Sequence, residues 1–178
     1  MKIIVGYPPT IPKNIGATPL LSQNRQYQEF SNPTYLFPVV MASLATILNQ
    51  EHKVLWIDSV AEKTSMEKFL NIIRKEKTDL LIFETKTPVI KQHWKTINLL
   101  KDKFPNMKIA ICGDHVTSFP EETMMNSKVD FVMTGGNFDF LGKELVDYLS
   151  GKTKKIPAGI FFRQKGKILN SGKFELTH

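Results

Sequence analysis

The sequence predicts an α/β fold built on a doubly wound parallel sheet. Two observations carry the expectation: five short β-type runs alternate with helical patterns, and most of those runs are continuously apolar. A strand covered by helices on both faces has no solvent side, so it loses the polar–apolar alternation of a half-exposed strand.

The strands are "KIIVG" (2–6), "KVLWID" (53–58), "DLLIFE" (79–84), "KIAIC" (108–112) and "DFVMT" (130–134). The first helix runs through "PVVMASLATILNQ", with Pro38 in its first turn and Val40, Leu44, Ile47 and Leu48 on one stripe. In "TSMEKFLNIIRKE", Thr64 and Glu67 have capping-box spacing ahead of Met66, Phe69, Leu70 and Ile73. Thr87 precedes Pro88, a favoured first-turn residue, and Ile90, Trp94 and Ile97 keep helical spacing. Ser118 and Glu121 repeat the capping-box spacing, and a last helix spans about 138–149 until Gly151 stops it. The remaining "IPAGIFFRQKGKILNSGKFE" reads as a hairpin turning near Lys165-Gly166. Right-handed crossovers between such strands give a flavodoxin-like, five-stranded parallel sheet of order 2-1-3-4-5, with the C-terminal β-hairpin appended. The expected organisation is a sheet domain over 1–155 carrying a long 10–36 loop, then the hairpin and the start of a linker over 156–178.

Composition limits the function classes. A chain of 178 residues, 42% hydrophobic and 23% charged, is an ordinary single globular domain able to bury a substantial core. One cysteine rules out an internal disulfide and a thiolate metal cluster, and points to a reducing compartment. No apolar stretch approaches the roughly 20 residues of a membrane span. Met1-Lys2 runs directly into "IIVG", too short for a signal-peptide core, so a cytoplasmic protein is expected. The net charge of +7 comes from Lys scattered over helix faces and the tail, as in "GKTKK" and "RQKGK". A nucleic-acid groove would need clustered Arg with interleaved aromatics, so no nucleic-acid partner is expected, while an anionic ligand or docking partner stays open.

Ligands of doubly wound sheets sit beyond the carboxyl ends of the strands, near the switch between strands 1 and 3. The residues there are Tyr7-Pro8-Pro9, Thr85-Lys86-Thr87, Gly113-Asp114-His115 and Gly135-Gly136-Asn137. A phosphate-accepting receiver would carry Asp at the end of strand 3, where this chain has Phe83-Glu84. A phosphate loop after strand 1 needs amide donors, and two prolines supply none. Neither a Gly-x-Gly-x-x-Gly nor a P-loop lysine pattern is present. The segment Thr10 to Tyr35, about 26 residues, is far longer than the 2–6 usual for such a connection, and it leaves from the ligand edge.

In order along the chain, "YPP" after strand 1, Pro38, "EHKVLWIDS", "KTDLLIFETKT", "FPNMKIAICGDHVTSFPEE" and "VDFVMTGG" resemble the N-terminal cobalamin-binding domain of the cobalamin-dependent radical S-adenosylmethionine enzymes. The resemblance implies cobalamin lying over the carboxyl edge, with its nucleotide tail among the loops after strands 3, 4 and 5. The cofactor-binding candidates are Tyr7, Pro8, Pro9, Thr85, Thr87, Gly113, Asp114, His115, Gly135 and Gly136. Bare backbone at the glycines lets a bulky macrocycle approach, and the threonine hydroxyls offer hydrogen bonds to the tail. Other readings stand beside these: tight turns for the glycines, a helix cap for Thr87, a solvent-exposed or hydrogen-bonded loop histidine for His115, and a buried strand-end thiol for Cys112. Asp114 pairs with either His115 or the backbone.

The chain departs from the family pattern at three places. Cys112-Gly113-Asp114-His115 stands where Gly-Gly-Pro-His is usual, Gly135-Gly136-Asn137-Phe138 where Gly-Glu-Gly-Glu is usual, and Glu84 where a small residue is common. The Asp-x-His-x-x-Gly that gives other cobalamin modules an axial histidine is absent after strand 1, so no residue is expected on cobalt. One cysteine cannot supply the Cys-x-x-x-Cys-x-x-Cys of a radical S-adenosylmethionine barrel. The iron–sulfur cluster and S-adenosylmethionine would belong to such a barrel outside this chain, joined in cis as the rest of a longer, methyltransferase-like enzyme or acting in trans. The chain alone is not expected to be catalytic. The alternative is a ligand-free interaction or regulatory module of the same fold, using Tyr27, Phe30, Tyr35 and Phe37.

Overall fold

The computed structural model describes residues 1–10, 18–21, 27–30 and 37–175. The strands are β1 (Lys2–Tyr7), β2 (Thr18–Leu21), β3 (Tyr27–Phe30), β4 (Lys53–Asp58), β5 (Leu80–Glu84), β6 (Lys108–Cys112), β7 (Phe131–Met133), β8 (Ile160–Gln164) and β9 (Lys167–Asn170). The helices are α1 (Val39–Leu48), α2 (Met66–Glu76), α3 (Ile90–Lys103), α4 (Asp114–Ser118), α5 (Pro120–Asn126) and α6 (Phe138–Leu149), with a 3-10 turn at Thr87–Val89. A seven-stranded sheet runs β4-β1-β5-β6-β7-β8-β9. Its first five strands are parallel, and counting those alone their order is the expected 2-1-3-4-5. The hairpin β8–β9 extends the sheet antiparallel to β7. Lys165 and Gly166 both have positive φ (49° and 78°), the backbone a two-residue type I′ hairpin turn requires.

Alternation along each strand divides the core in two. Ile3, Val5, Leu80, Ile82, Ala110 and Met133 face α1 and α6 on one side. Ile4, Leu81, Phe83, Ile109, Ile111 and Val132 face α2, α3 and α5 on the other. Both faces are apolar because both are covered, which is why the runs read as continuous. The helix following β1 and the helix following β5 lie on opposite faces, so the topological switch falls between those two strands. No helix among the described residues is long and apolar enough to cross a membrane.

Several local expectations are corrected. The long insertion after β1 contains a two-stranded antiparallel ribbon, β2–β3, and the β3 backbone comes within 8 Å of the Thr87–Val89 turn at the carboxyl edge. Tyr35 lies outside the described residues, and of Tyr27 and Phe30 only the backbone is described. Ser65, not Thr64, caps α2, accepting a hydrogen bond from the Lys68 amide at 3.2 Å. Ser118 is the last residue of α4, an element absent from the sequence reading, and α5 starts at Pro120 behind Phe119 with no side-chain cap. Pro38 sits at the N-cap of α1, one position ahead of its first turn.

Candidate functional site

The carboxyl ends of β4, β1, β5, β6 and β7 form one rim, and every candidate residue from the sequence lies along it. Local structure decides which of them present chemistry outward.

At the switch point the rim is filled. Tyr7 ends β1 and is buried, and its hydroxyl donates to Glu84 Oε2 at 2.8 Å. Burial, and then the Glu84 carboxylate beside it, push the Tyr7 phenol well above its ordinary value, so it stays protonated. Glu84 Oε1 accepts from Lys86 Nζ, and Lys86 also lies 3.7 Å from Asp114 Oδ2. Glu84 and Lys86 project to the same side because strand-like backbone returns side chains every second residue. The Lys86 side chain is 3% exposed and that of Asp114 is 57% exposed, so the chain Tyr7–Glu84–Lys86–Asp114 runs from core to solvent. Pro8 is buried and Pro9 half-buried behind it.

A second cluster follows β5 and β6. Thr85 is fully buried, and its Oγ1 lies 2.7 Å from His93 Nδ1. Burial beside Phe83, whose ring meets the imidazole edge-on at 5.1 Å, depresses the His93 pKa to about 3. Neutral at physiological pH, His93 locks Thr85 in place. Gly113 has φ +125°, and a Cβ there would stand 2.2 Å from the Thr85 carbonyl oxygen. Its missing side chain therefore serves the close approach of two loops. Thr87 is exposed and caps no helix by its side chain, and its Oγ1 lies 3.2 Å from His115 Nδ1. His115 Nε2 reaches Glu122 Oε2 at 3.2 Å, and since a carboxylate only accepts, that nitrogen donates. The His115 ring lies near Trp94 and Phe119 and is 8% exposed, so the imidazole orients Thr87 from behind. Cys112 is buried, its Sγ 3.7 Å from Met41 Sδ.

After β7 the two glycines differ. A Cβ on Gly135 (φ +98°) would meet the Phe174 ring at 2.3 Å, whereas a Cβ on Gly136 would meet nothing within 4 Å. The rim thus brings together Thr85, Thr87, Gly113, Asp114 and His115. Tyr7 joins them through Glu84 and Lys86, and Gly136 is open backbone. The sequence reading did not single out Lys86, His93, Glu122 or Ser59 as site residues. A signal existed for Lys86 alone, which shares strand parity with Glu84. Ser59 ends the rim after β4, where its buried Oγ has no partner. Among the described residues no group of three or more His, Cys, Asp and Glu is placed to hold a metal ion.

No protein-family profile matches the chain. It is 30% identical over 134 residues to an uncharacterised methyltransferase of Pyrococcus horikoshii, an alignment covering 75% of this chain and 29% of that protein. The cobalamin-dependent S-adenosylmethionine radical enzyme OxsB, solved with aqua-cobalamin and S-adenosylmethionine, superposes with a TM-score of 0.70 at 13% identity. That match covers 98% of this chain and 22% of OxsB. The chain has the fold found in cobalamin-dependent radical S-adenosylmethionine enzymes. The radical S-adenosylmethionine methyltransferase TsrM of Kitasatospora setae, solved with cobalamin and a 4Fe-4S cluster, agrees: TM-score 0.69, 14% identity, 99% of this chain and 30% of TsrM. The resemblance read from the sequence therefore holds for the architecture over nearly the whole chain, which spans less than a third of each of these proteins.

The rim residues suit a corrinoid over part of its length. Gly136 is a bare-backbone floor with no atom filling it, and Thr87 and Asp114 are exposed polar groups beside it in strand order. The switch point itself is closed by Tyr7, Glu84 and Lys86, which leaves the β5–β7 stretch as the part of the rim that offers exposed polar groups and open backbone.

Proposed function

We propose that this chain is the corrinoid-binding unit of a radical S-adenosylmethionine enzyme of the methyltransferase type, with the ligand lying across the ends of β5, β6 and β7. The observation that carries the reading is the superposition of 98% of the chain on an enzyme whose structure holds aqua-cobalamin. Thr87, oriented by His115 and Glu122, presents a hydroxyl to the ligand's polar periphery, and Asp114 presents an acceptor beside it. Gly136 admits the ligand against backbone, while Gly113 and Thr85 hold the two loops at a set spacing. A bound corrinoid supplies a cobalt centre for carrying a methyl group, and the iron–sulfur cluster and S-adenosylmethionine belong to a barrel domain outside these 178 residues.

The filled switch point, together with exposed Phe37, Phe119, Met125 and Phe140, supports a second reading, a ligand-free interaction module. Mixing the purified chain with hydroxocobalamin, desalting and recording the visible spectrum separates the two. Retained corrin absorbance at near-stoichiometric level is expected, and loss of all colour on the column favours the interaction module.

A further inference from the structure

The loop after β7 does not lie empty over its whole length. Gly135 and Gly159 both have positive φ (98° and 86°), and both face Phe174. A Cβ on Gly135 would come within 2.3 Å of Phe174 Cδ1 and 2.4 Å of its Cγ, and a Cβ on Gly159 within 2.8 Å of Phe174 Cβ. Two stretches of bare backbone thus form a cradle, and the chain's own phenyl ring occupies it. The floor is tied by hydrogen bonds: the Thr134 amide and hydroxyl both donate to the Gly159 carbonyl at 2.8 Å, and the Gly159 amide donates to the Gly172 carbonyl at 2.8 Å. Phe174 itself is only half-buried, in a stretch without regular structure two residues beyond that tie. A pocket of about 260 Å³ adjoins the ring, lined among others by Asn137, Phe140, Leu141 and Glu144. The cradle stands at the carboxyl edge, next to the open Gly136.

We propose that Phe174 is a displaceable occupant of this cradle and sets the affinity of the rim for its ligand: a flat group of the corrinoid takes the place of the ring, which moves out with the segment 173–175. The inference rests on the corrinoid reading above. A hydrogen-bonded backbone floor beneath a half-buried aromatic ring, on a segment without regular structure, is the arrangement a competing planar group can exploit. Burial of the ring in the free chain must then be given up on binding, so it opposes binding.

The test compares the full chain with Phe174→Ala and Phe174→Leu, titrating hydroxocobalamin against each by difference absorbance, with circular-dichroism melts to establish folding. Phe174→Ala should bind about tenfold more tightly than the parent, a change equivalent to about 1.4 kcal/mol. Phe174→Leu keeps apolar contact without a planar ring and should show a smaller gain; it decides the matter if the alanine variant does not fold. Equal or weaker binding by the folded variants overturns the inference and leaves the corrinoid reading intact. Absence of binding by all three chains overturns both.

Discussion

Replacing Lys86 with methionine isolates the charge network at the switch point. The Lys86 side chain is 3% exposed and its Glu84 partner 11%, so the substitution strands a carboxylate whose remaining neutral donor is the Tyr7 hydroxyl. Removing one partner of a buried ion pair costs about 3–5 kcal/mol, because the uncompensated charge keeps its desolvation penalty. For a chain of this length each kcal/mol moves the melting midpoint by about 2–4 °C, so Lys86→Met should melt about 6–20 °C below the parent. Asp114 adds little, since its carboxylate is largely solvated. The double variant Glu84→Gln/Lys86→Met removes both charges while the amide oxygen still accepts from Tyr7, and it should recover most of the loss. Thermal and urea unfolding of the parent, both single variants and the double variant complete the cycle. A Lys86→Met cost below about 1 kcal/mol, or a double variant no more stable than Lys86→Met, would refute the reasoning that the pair acts as one buried unit.

Two further predictions follow from the same rim. Gly113→Ala places a Cβ 2.2 Å from the Thr85 carbonyl at φ +125° and should cost at least about 2 kcal/mol, whereas Gly136→Ala meets no atom and should stay within about 1 kcal/mol of the parent while weakening corrinoid uptake. Equal melting points for the two alanine variants would contradict the distinction drawn between these glycines. His93 titrates at about 3 when folded and near 6.5 when unfolded, so the unfolded chain binds the extra proton between those values. The stability this group contributes is present above pH 6.5 and declines as pH falls toward 3, by up to about 1.4 kcal/mol per pH unit. His93→Gln, which keeps a hydrogen-bonding group near Thr85 without titrating, should have a shallower acid limb between pH 6 and 4, and an identical slope in urea melts would count against the assignment.

The sheet was largely legible before any coordinates. Continuous apolar runs placed four of the parallel strands to within a residue or two, and "DFVMT" located β7, although the strand is trimmed to Phe131–Met133. The last helix and the Lys165-Gly166 turn were also legible, since an apolar stripe ended by Gly151 and a Lys-Gly pair between two strand runs are local signals. Caps were less so. Thr64 and Ser65 are both capable acceptors, and which one caps α2 depends on how the chain leaves the preceding turn, where the Thr64 amide bonds back to the Ser59 carbonyl.

Along the rim the sequence picked out the loops that follow the parallel strands but not what each residue does there. Gly113 and Gly135 both read as space for a ligand. In the fold one makes room for the Thr85 backbone and the other for the ring of Phe174, neighbours far away in sequence. Lys86, flanked by two threonines in sequence, is buried where Glu84 at the end of β5 and Asp114 at the start of α4 converge on it. Element type and strand boundaries follow from periodicity, which a chain carries locally. What a bare α-carbon accommodates, and whether a charge finds its partner, depends on which strands lie side by side. That order arises only when the helices cover both faces and the sheet closes around its switch point.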